Sequence, residues 1–352
     1  MRAQRRIQLG ERLAAAGVDA LLVTRRVNVR WLTGFTGSAG TCLVHSDGSC
    51  LLVTDGRYAE QAAEEAAGVE LVVDRTRSWL PGRVGGGRLG VESHDLPWDV
   101  ALQLASELGE DRIVPAPRHV ETLRQTKDTE ELALIQQACA ATSAAFDALL
   151  GWLRPGMTEV EAARQLRGEV EARAPEGLAF DTILASGPNS ARPHHRPGPR
   201  VLERGDLVKV DFGARVGGYC ADMTRMVALG LPDPELRRVY DIVREAQEAG
   251  VGAARPGVTA GAVDAVCRDV IDAAGYGDRF VHGTGHGLGL EVHEQPILAR
   301  GAAATLTAHM TVTVEPGIYL PGVGGVRIED VVVVLPSDPE PLTTVTTELI
   351  VL

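Results

Sequence analysis

The feature that most constrains this chain is that its last two thirds are written twice. Arg154-Pro155-Gly156-Met157-Thr158 opens one amphipathic helical pattern, and Arg255-Pro256-Gly257-Val258-Thr259 opens another 101 residues later. Leu207-Val208-Lys209-Val210-Asp211-Phe212-Gly213 is echoed 104 residues on by Val312-Thr313-Val314-Glu315-Pro316-Gly317. Gly217-Gly218, followed by Asp222, recurs as Gly324-Gly325, followed by Glu329, at an offset of 107. A drift this small is what loop insertions produce. Two copies of a helix-and-hairpin unit related by a pseudo-two-fold axis bring Asp211, Asp222, Glu315 and Glu329 together at that axis.

Four carboxylates do not converge unneutralised. Each raises the pKa of its neighbours and burial adds a further penalty, so bound cations are the simplest compensation. Asp211 and Glu315 argue against a set of solvated turn acids, because each follows an apolar strand run and stands next to a strand-ending glycine or Pro-Gly. Nearby, FVHGTGHGLGLEVHE carries His282, His286 and His293. A zinc helix is excluded there by Gly283, Gly285, Gly287 and Gly289, since each glycine costs a helix interior about 1 kcal/mol. The stretch is therefore turn and strand, from which one or two imidazoles reach the acids. Carboxylates with one imidazole form an oxygen-rich site that suits manganese or another labile divalent ion. Four acids suit two ions, and a metal pair about 3.5 to 4 Å apart activates water and polarises a carbonyl, which points to hydrolysis.

The first third alternates helix-like and strand-like segments, with TCLVHSDGSCLLVTD as a hairpin, and reads as an α/β domain. The pattern breaks around Pro115 to Pro117, and Lys127 to Leu153 reads as one long helix. The division is placed at residue 122, giving domains 1–122 and 123–352, as a chain of 352 residues suggests. Gly85-Gly86-Gly87-Arg88-Leu89-Gly90 matches a dinucleotide fingerprint but precedes a strand instead of following one, so a dehydrogenase is disfavoured. The net charge of −12, with basic residues scattered, argues against nucleic acid. No window approaches a membrane span, and no membrane partner is expected. Only Lys127 and Lys209 among the 35 basic residues are lysine. Five cysteines without CxxC pairs, and an N-terminus without a secretory pattern, fit a reducing cytoplasm.

Asp211 in VDFG, Asp222, His286 in GTGHGLG, Glu315 in EPGIY and Glu329 in GGVRIED resemble the five metal ligands of the pita-bread metallopeptidases, family M24. The likeness is to its Xaa-Pro peptidases, prolidase and aminopeptidase P, and covers nearly the whole chain, including GFTGSAG and LRQTKDTEELALIQQA. It implies an α/β creatinase-type N-terminal domain and an α+β pita-bread catalytic domain with a pseudo-two-fold repeat. It also implies two divalent ions per subunit, manganese first and cobalt or zinc as alternatives. Asp211 then chelates one ion, His286 and Glu315 the other, and Asp222 and Glu329 both. A bridging hydroxide attacks the scissile carbonyl and Glu315 takes its proton. His194, in SARPHH, resembles the histidine that aids the leaving group or binds substrate, and His293 the one that stabilises the oxyanion. His282 lines the same side, and Arg327 orients Glu329.

The implied reaction is cleavage before proline in short peptides with proline second. Dipeptidase stands ahead of aminopeptidase P or a broader aminopeptidase, although Ile297 occupies the place where prolidases carry an arginine. The rival of another class is a metal-free pita-bread binding protein, which would have lost ligands that all stand here. A homodimer is expected, with Trp31 and Phe35 as exposed interface candidates. His195 is expected to face solvent, while His45, His94, His119 and His309 are expected at the surface or at caps, without partners.

Overall fold

A computed structural model describes residues 1–352. The chain divides into two compact units, Met1–Arg124 and Gln125–Leu352. The first holds helices α1 (Arg2–Ala15), α2 (Arg26–Thr33), α3 (Ala59–Glu65), α4 (Leu80–Val84), α5 (Trp98–Leu108) and α6 (His119–Arg124). Its sheet is built from β1 (Ala20–Val23), β2 (Gly40–His45), β3 (Cys50–Thr54), β4 (Glu70–Val73), β5 (Leu89–Val91) and β6 (Ile113–Pro115), in the order β4-β3-β2-β1-β5-β6. The hairpin read from the sequence is β2–β3. These strands and β1 run antiparallel, and the outer pairings are parallel.

Three expectations for this unit are overturned. Trp31 and Phe35 are 3% and 1% exposed rather than presented to a partner. The Arg5 guanidinium lies 4.8 Å over the Trp31 ring, and Phe35 meets Tyr58 edge-on at 5.7 Å. His94 has a partner, Glu121 Oε1 at 2.9 Å. That carboxylate also accepts from Arg25 and Asn28, and although burial opposes it, these donors hold Glu121 down at about 2.

The second unit shows the repeat in its main chain. Helices α7 (Thr129–Leu150) and α8 (Glu159–Glu171) precede β7 (Ile183–Ser186), β8 (Leu207–Phe212), the small hairpin β9 (Arg215–Val216) and β10 (Tyr219–Cys220), and β11 (Met223–Ala228). The second copy is α9 (Pro234–Ala253), α10 (Ala260–Ala273), β12 (Gly285–Gly287), β13 (Glu294–Leu298), β14 (Thr311–Val314), the hairpin β15 (Gly317–Leu320) and β16 (Gly324–Arg327), and β17 (Asp330–Val333). Two short strands, β18 (Glu340–Pro341) and β19 (Ile350–Val351), complete the sheets. One sheet runs β19-β11-β8-β7 and the other β18-β17-β14-β12-β13, so β11-β8-β7 corresponds to β17-β14-β12. Each copy has its own apolar core, one around Phe146, Leu166 and Val210, the other around Tyr240, Ile271 and Val314.

Thr158 caps α8 through a capping box with Glu161, and Thr259 caps α10 through Ala262 N. The Gly156 N–H donates to Leu202 O and the Gly257 N–H to Leu306 O, both at 2.9 Å. Both glycines are left-handed, at φ of 93° and 86°. Contrary to the sequence reading, α7 is long and apolar enough to cross a membrane by length and composition. Its Ala145, Phe146 and Leu149 are instead fully buried in the first core.

A Cβ added at Gly156 or at Gly257 meets nothing within 4 Å, so alanine there costs only backbone strain. Gly156→Ala and Gly257→Ala are each expected to destabilise by about 1 to 2 kcal/mol, and additively, in urea unfolding. Markedly unequal losses would contradict the equivalence of the two turns.

Candidate metal centre and peptidase cavity

The four acids of the repeat and His286 come together in one place. Asp211 stands near the end of β8, and Asp222 in the turn between β10 and β11. Glu315 follows β14 directly, and Glu329 occupies the equivalent turn between β16 and β17. All four, with His286 of β12, line a cavity of about 1050 Å³ together with His194, His282 and His293. His286 Nε2 lies 3.3 Å from Glu315 Oε1 and 3.7 Å from Asp222 Oδ2. One ligand atom each from Asp222, His286 and Glu329 fall within 4.8 Å of one another.

His286 reaches that position because β12 lies almost against β14. A Cβ on Gly285 would stand 1.9 Å from Thr313 O, so only glycine permits the approach. The His286 N–H donates to Thr313 Oγ1 at 3.1 Å, and the Glu315 N–H to Thr284 O at 2.7 Å. The His286 ring meets Gly287 O through Nδ1 at 3.0 Å. The carbonyl accepts, which fixes the proton on Nδ1 and aims Nε2 at the acids, as in a metal-ligating histidine.

The residues fit divalent cations on electrostatic grounds as well. Burial, followed by the charges of Glu329, Asp211 and Glu315, pushes Asp222 well above the usual carboxylate range. Burial and the charges of Glu315 and Asp211 do the same to Glu329, and burial with Glu315 raises Asp211. Glu315 goes the other way: burial is outweighed by the His286 hydrogen bond and the His286 and Arg327 charges, leaving it at about 2. Asp211 Oδ1 and Glu329 Oε1 are buried with no hydrogen-bond partner. Unpartnered carboxylate oxygens in a ring of acids are what a cation is required to satisfy.

Arg327 meets Asp211 directly and Glu329 by way of Thr224. Its Nη2 donates to Asp211 Oδ2, and its Nε donates to Thr224 Oγ1 at 3.0 Å. Thr224 Oγ1 in turn donates to Glu329 Oε2 at 2.7 Å, so Arg327 reaches Glu329 only through Thr224. From behind, buried Arg225 donates to Glu329 O and pairs with Asp330 at 2.5 Å. His282 Nδ1 donates to Gly283 O at 2.7 Å, so Nε2 accepts from the Tyr319 hydroxyl at 2.8 Å. Burial lowers the pKa of His282 and of His293. The His293 ring lies 4.3 Å from that of His286.

His194 is exposed at the cavity, while His195 is not: its side chain is 9% exposed and its Nε2 lies 2.8 Å from Glu159 Oε2. Glu159 also accepts from the Ser186 N–H and Oγ–H, Asn189 Nδ2 and the Gly198 N–H. This buried carboxylate gathers the 186–198 loop, a role that no motif in the sequence announces. The one local signal is its place directly after the Thr158 cap, at the first position of α8.

The comparisons with known proteins follow this geometry. Residues 133–336 match the model for metallopeptidase family M24, and residues 5–126 match that for the creatinase/prolidase N-terminal domain. The chain belongs to metallopeptidase family M24. This M24 peptidase is 40% identical over 341 residues to an uncharacterized peptidase of Bacillus subtilis, covering 96% of each chain. It is similar to the solved structure of an Xaa-Pro dipeptidase from Bacillus anthracis, with a TM-score of 0.93, 38% identity and coverage of 99% and 100%. An X-Pro aminopeptidase structure from Thermotoga maritima gives 0.90, 36% identity and full coverage of both chains. The M24 peptidase is thus a metal-dependent exopeptidase with a creatinase-type N-terminal domain and a pita-bread catalytic domain.

Three of the four acids hold protons more tightly folded than unfolded, so the metal-free site loses stability as pH rises above about 4, the ordinary aspartate range. Asp222→Asn is therefore expected to raise the melting temperature of metal-free protein, by a margin that widens from about pH 4 to pH 8. Added Mn²⁺ should stabilise the parent, by about 2.7 kcal/mol at a hundredfold excess over Kd, and the variant much less. A metal-free variant less stable than the parent at pH 8 would refute the crowding of these acids. Gly285→Ala is expected to weaken Mn²⁺ binding in titration calorimetry by forcing His286 away from Glu315.

Proposed function

We propose that this peptidase hydrolyses the bond before proline in dipeptides, using two divalent ions, manganese first, held by Asp211, Asp222, His286, Glu315 and Glu329. The observation that carries the reading is the ring of four acids, three buried and Glu315 half-buried, with His286, open to a cavity whose wall carries four further imidazoles, His194, His195, His282 and His293. Names borne by similar proteins, Xaa-Pro dipeptidase among them, support the same substrate class. The ions supply a water of lowered pKa and a polarised carbonyl. Glu315, ionised, accepts a proton from the attacking water and passes it toward the leaving proline nitrogen. His293 donates to the oxygen on which negative charge develops. His194, exposed at the same cavity, holds the peptide or assists the leaving group.

A second reading, action on longer peptides, is favoured by one feature. Ile297 is 40% exposed at the cavity, and at that place no guanidinium meets a substrate carboxylate. We place the protein in the cytoplasm as a homodimer. Its five unpaired thiols, four of them buried, are consistent with a reducing compartment. Light scattering at twice the chain mass of 37.3 kDa is the expected result.

After chelation, turnover of Ala-Pro is expected to return with Mn²⁺ and less well with Co²⁺ or Zn²⁺. Asp222→Asn and Glu315→Gln should each lower kcat/KM by at least about 10²-fold. Undiminished turnover in Asp222→Asn would sink the dinuclear reading. Ala-Pro, Ala-Pro-Ala and Ala-Pro-Ala-Ala compared at one metal concentration should show a fall beyond two residues, and equal or rising rates would give the second reading.

A further inference from the structure

In a chain that meets its need for positive charge almost wholly with arginine, both lysines are buried, Lys127 at 2% and Lys209 at 0% exposure. Lys209 lies on β8 two residues before Asp211, so the two side chains leave the strand on the same face. Its Nζ donates to Ser190 O at 3.2 Å, Arg192 O at 2.7 Å and Pro193 O at 3.3 Å. All three acceptors belong to the stretch that ends immediately before His194. The Nζ also stands 5.2 Å from the centroid of the Tyr319 ring, whose hydroxyl meets His282 and Arg327.

Three carbonyls converging on one nitrogen match the compact, single-atom head of a lysine, whereas a planar guanidinium spreads its donors along a fork. That geometry gives a reason for lysine here in a chain otherwise furnished with arginine. His194 is exposed and its side chain makes no hydrogen bond within the protein, so its direction is set by the main chain that leads into it. That main chain is held from several sides. Ser190 Oγ accepts from the Gly325 N–H at 2.8 Å and donates to Gly187 O at 2.6 Å, and Arg327 Nη1 donates to Pro193 O at 3.3 Å. Only Lys209 binds three carbonyls of the stretch at once.

We propose that Lys209 is a positioning residue for peptide hydrolysis: it fixes Ser190 to Pro193 so that the His194 imidazole is presented to the peptide. The inference rests on the role given to His194 above, and it couples the strand of Asp211 to the loop of His194.

The test is a double-mutant cycle in the Mn²⁺-loaded enzyme on Ala-Pro, with Lys209→Met, His194→Ala and the double variant. Lys209→Met keeps the apolar stem and deletes the donors. It is expected to lower kcat/KM by about 10²-fold, the scale of a misplaced group, at unchanged bound manganese. The double variant should fall no further than His194→Ala alone. Losses that multiply, or a Lys209→Met protein that has lost its metal, would overturn the proposal. Lys209→Arg, the variant to use should the methionine fail to fold, is expected to show an intermediate loss with the same non-additivity. Ring resonances in ¹³C-labelled, metal-free protein give a readout that needs no activity: Lys209→Met should shift His194 while leaving His286 and His293 in place. Unmoved His194 resonances would overturn the proposal, whereas a parent enzyme inactive on every Xaa-Pro peptide would fault the functional reading instead.

Discussion

Everything in the catalytic unit answers to the repulsion among four clustered acids, three of them buried and Glu315 half-buried. Asp211, Asp222, Glu315 and Glu329 are each pulled to the pseudo-two-fold axis by a strand or turn that recurs in the other half. The protein supplies Arg327 and His286 against them, which is too little positive charge, and two carboxylate oxygens remain without partners. The unmet part is the affinity for divalent ions. The fold is thus built around an unfavourable arrangement that only a ligand relieves, and the surrounding cores must be stable enough to hold it open.

The two halves contribute unequally to that centre. The first provides two acids from β8 and the turn before β11, and its lysine faces the loop of His194. The second provides two acids and all of the imidazoles of the 282–293 segment. Equivalent positions have diverged while the main chain has not: the Gly156 and Gly257 turns share the same hydrogen bond to a following leucine carbonyl. Duplication explains the pairing of acids, and divergence explains how one wall of the cavity came to differ from the other.

Much of this was legible in the residues because it repeats. The offsets near 101 to 107 residues, the glycine-rich histidine segment and the hairpin of the first domain correspond to elements found where they were expected. What the sequence hid depends on contacts between distant segments. No pattern in the sequence shows that the Arg327 guanidinium also turns to Asp211 and reaches Glu329 by way of Thr224. His195 was read as solvated because it follows a proline-led run, yet Glu159, 36 residues earlier, draws it inward. Trp31 and Phe35 were read as surface aromatics, but burial of a ring is decided by what packs over it, here Arg5 and Tyr58. The apolar length of α7 likewise reflects packing on one face against its own core.

The two buried lysines carry a consequence for the outside of the molecule. With Lys127 and Lys209 enclosed, no lysine amine meets solvent, and the permanently charged side chains of the positive surface are guanidinium. Acylating reagents, amine-directed cross-linkers and the enzymes that acetylate or conjugate lysine therefore find no lysine nucleophile on the folded protein. Such chemistry would reach Lys127 or Lys209 only in molecules that have opened, which makes lysine labelling a report of local unfolding rather than of surface accessibility.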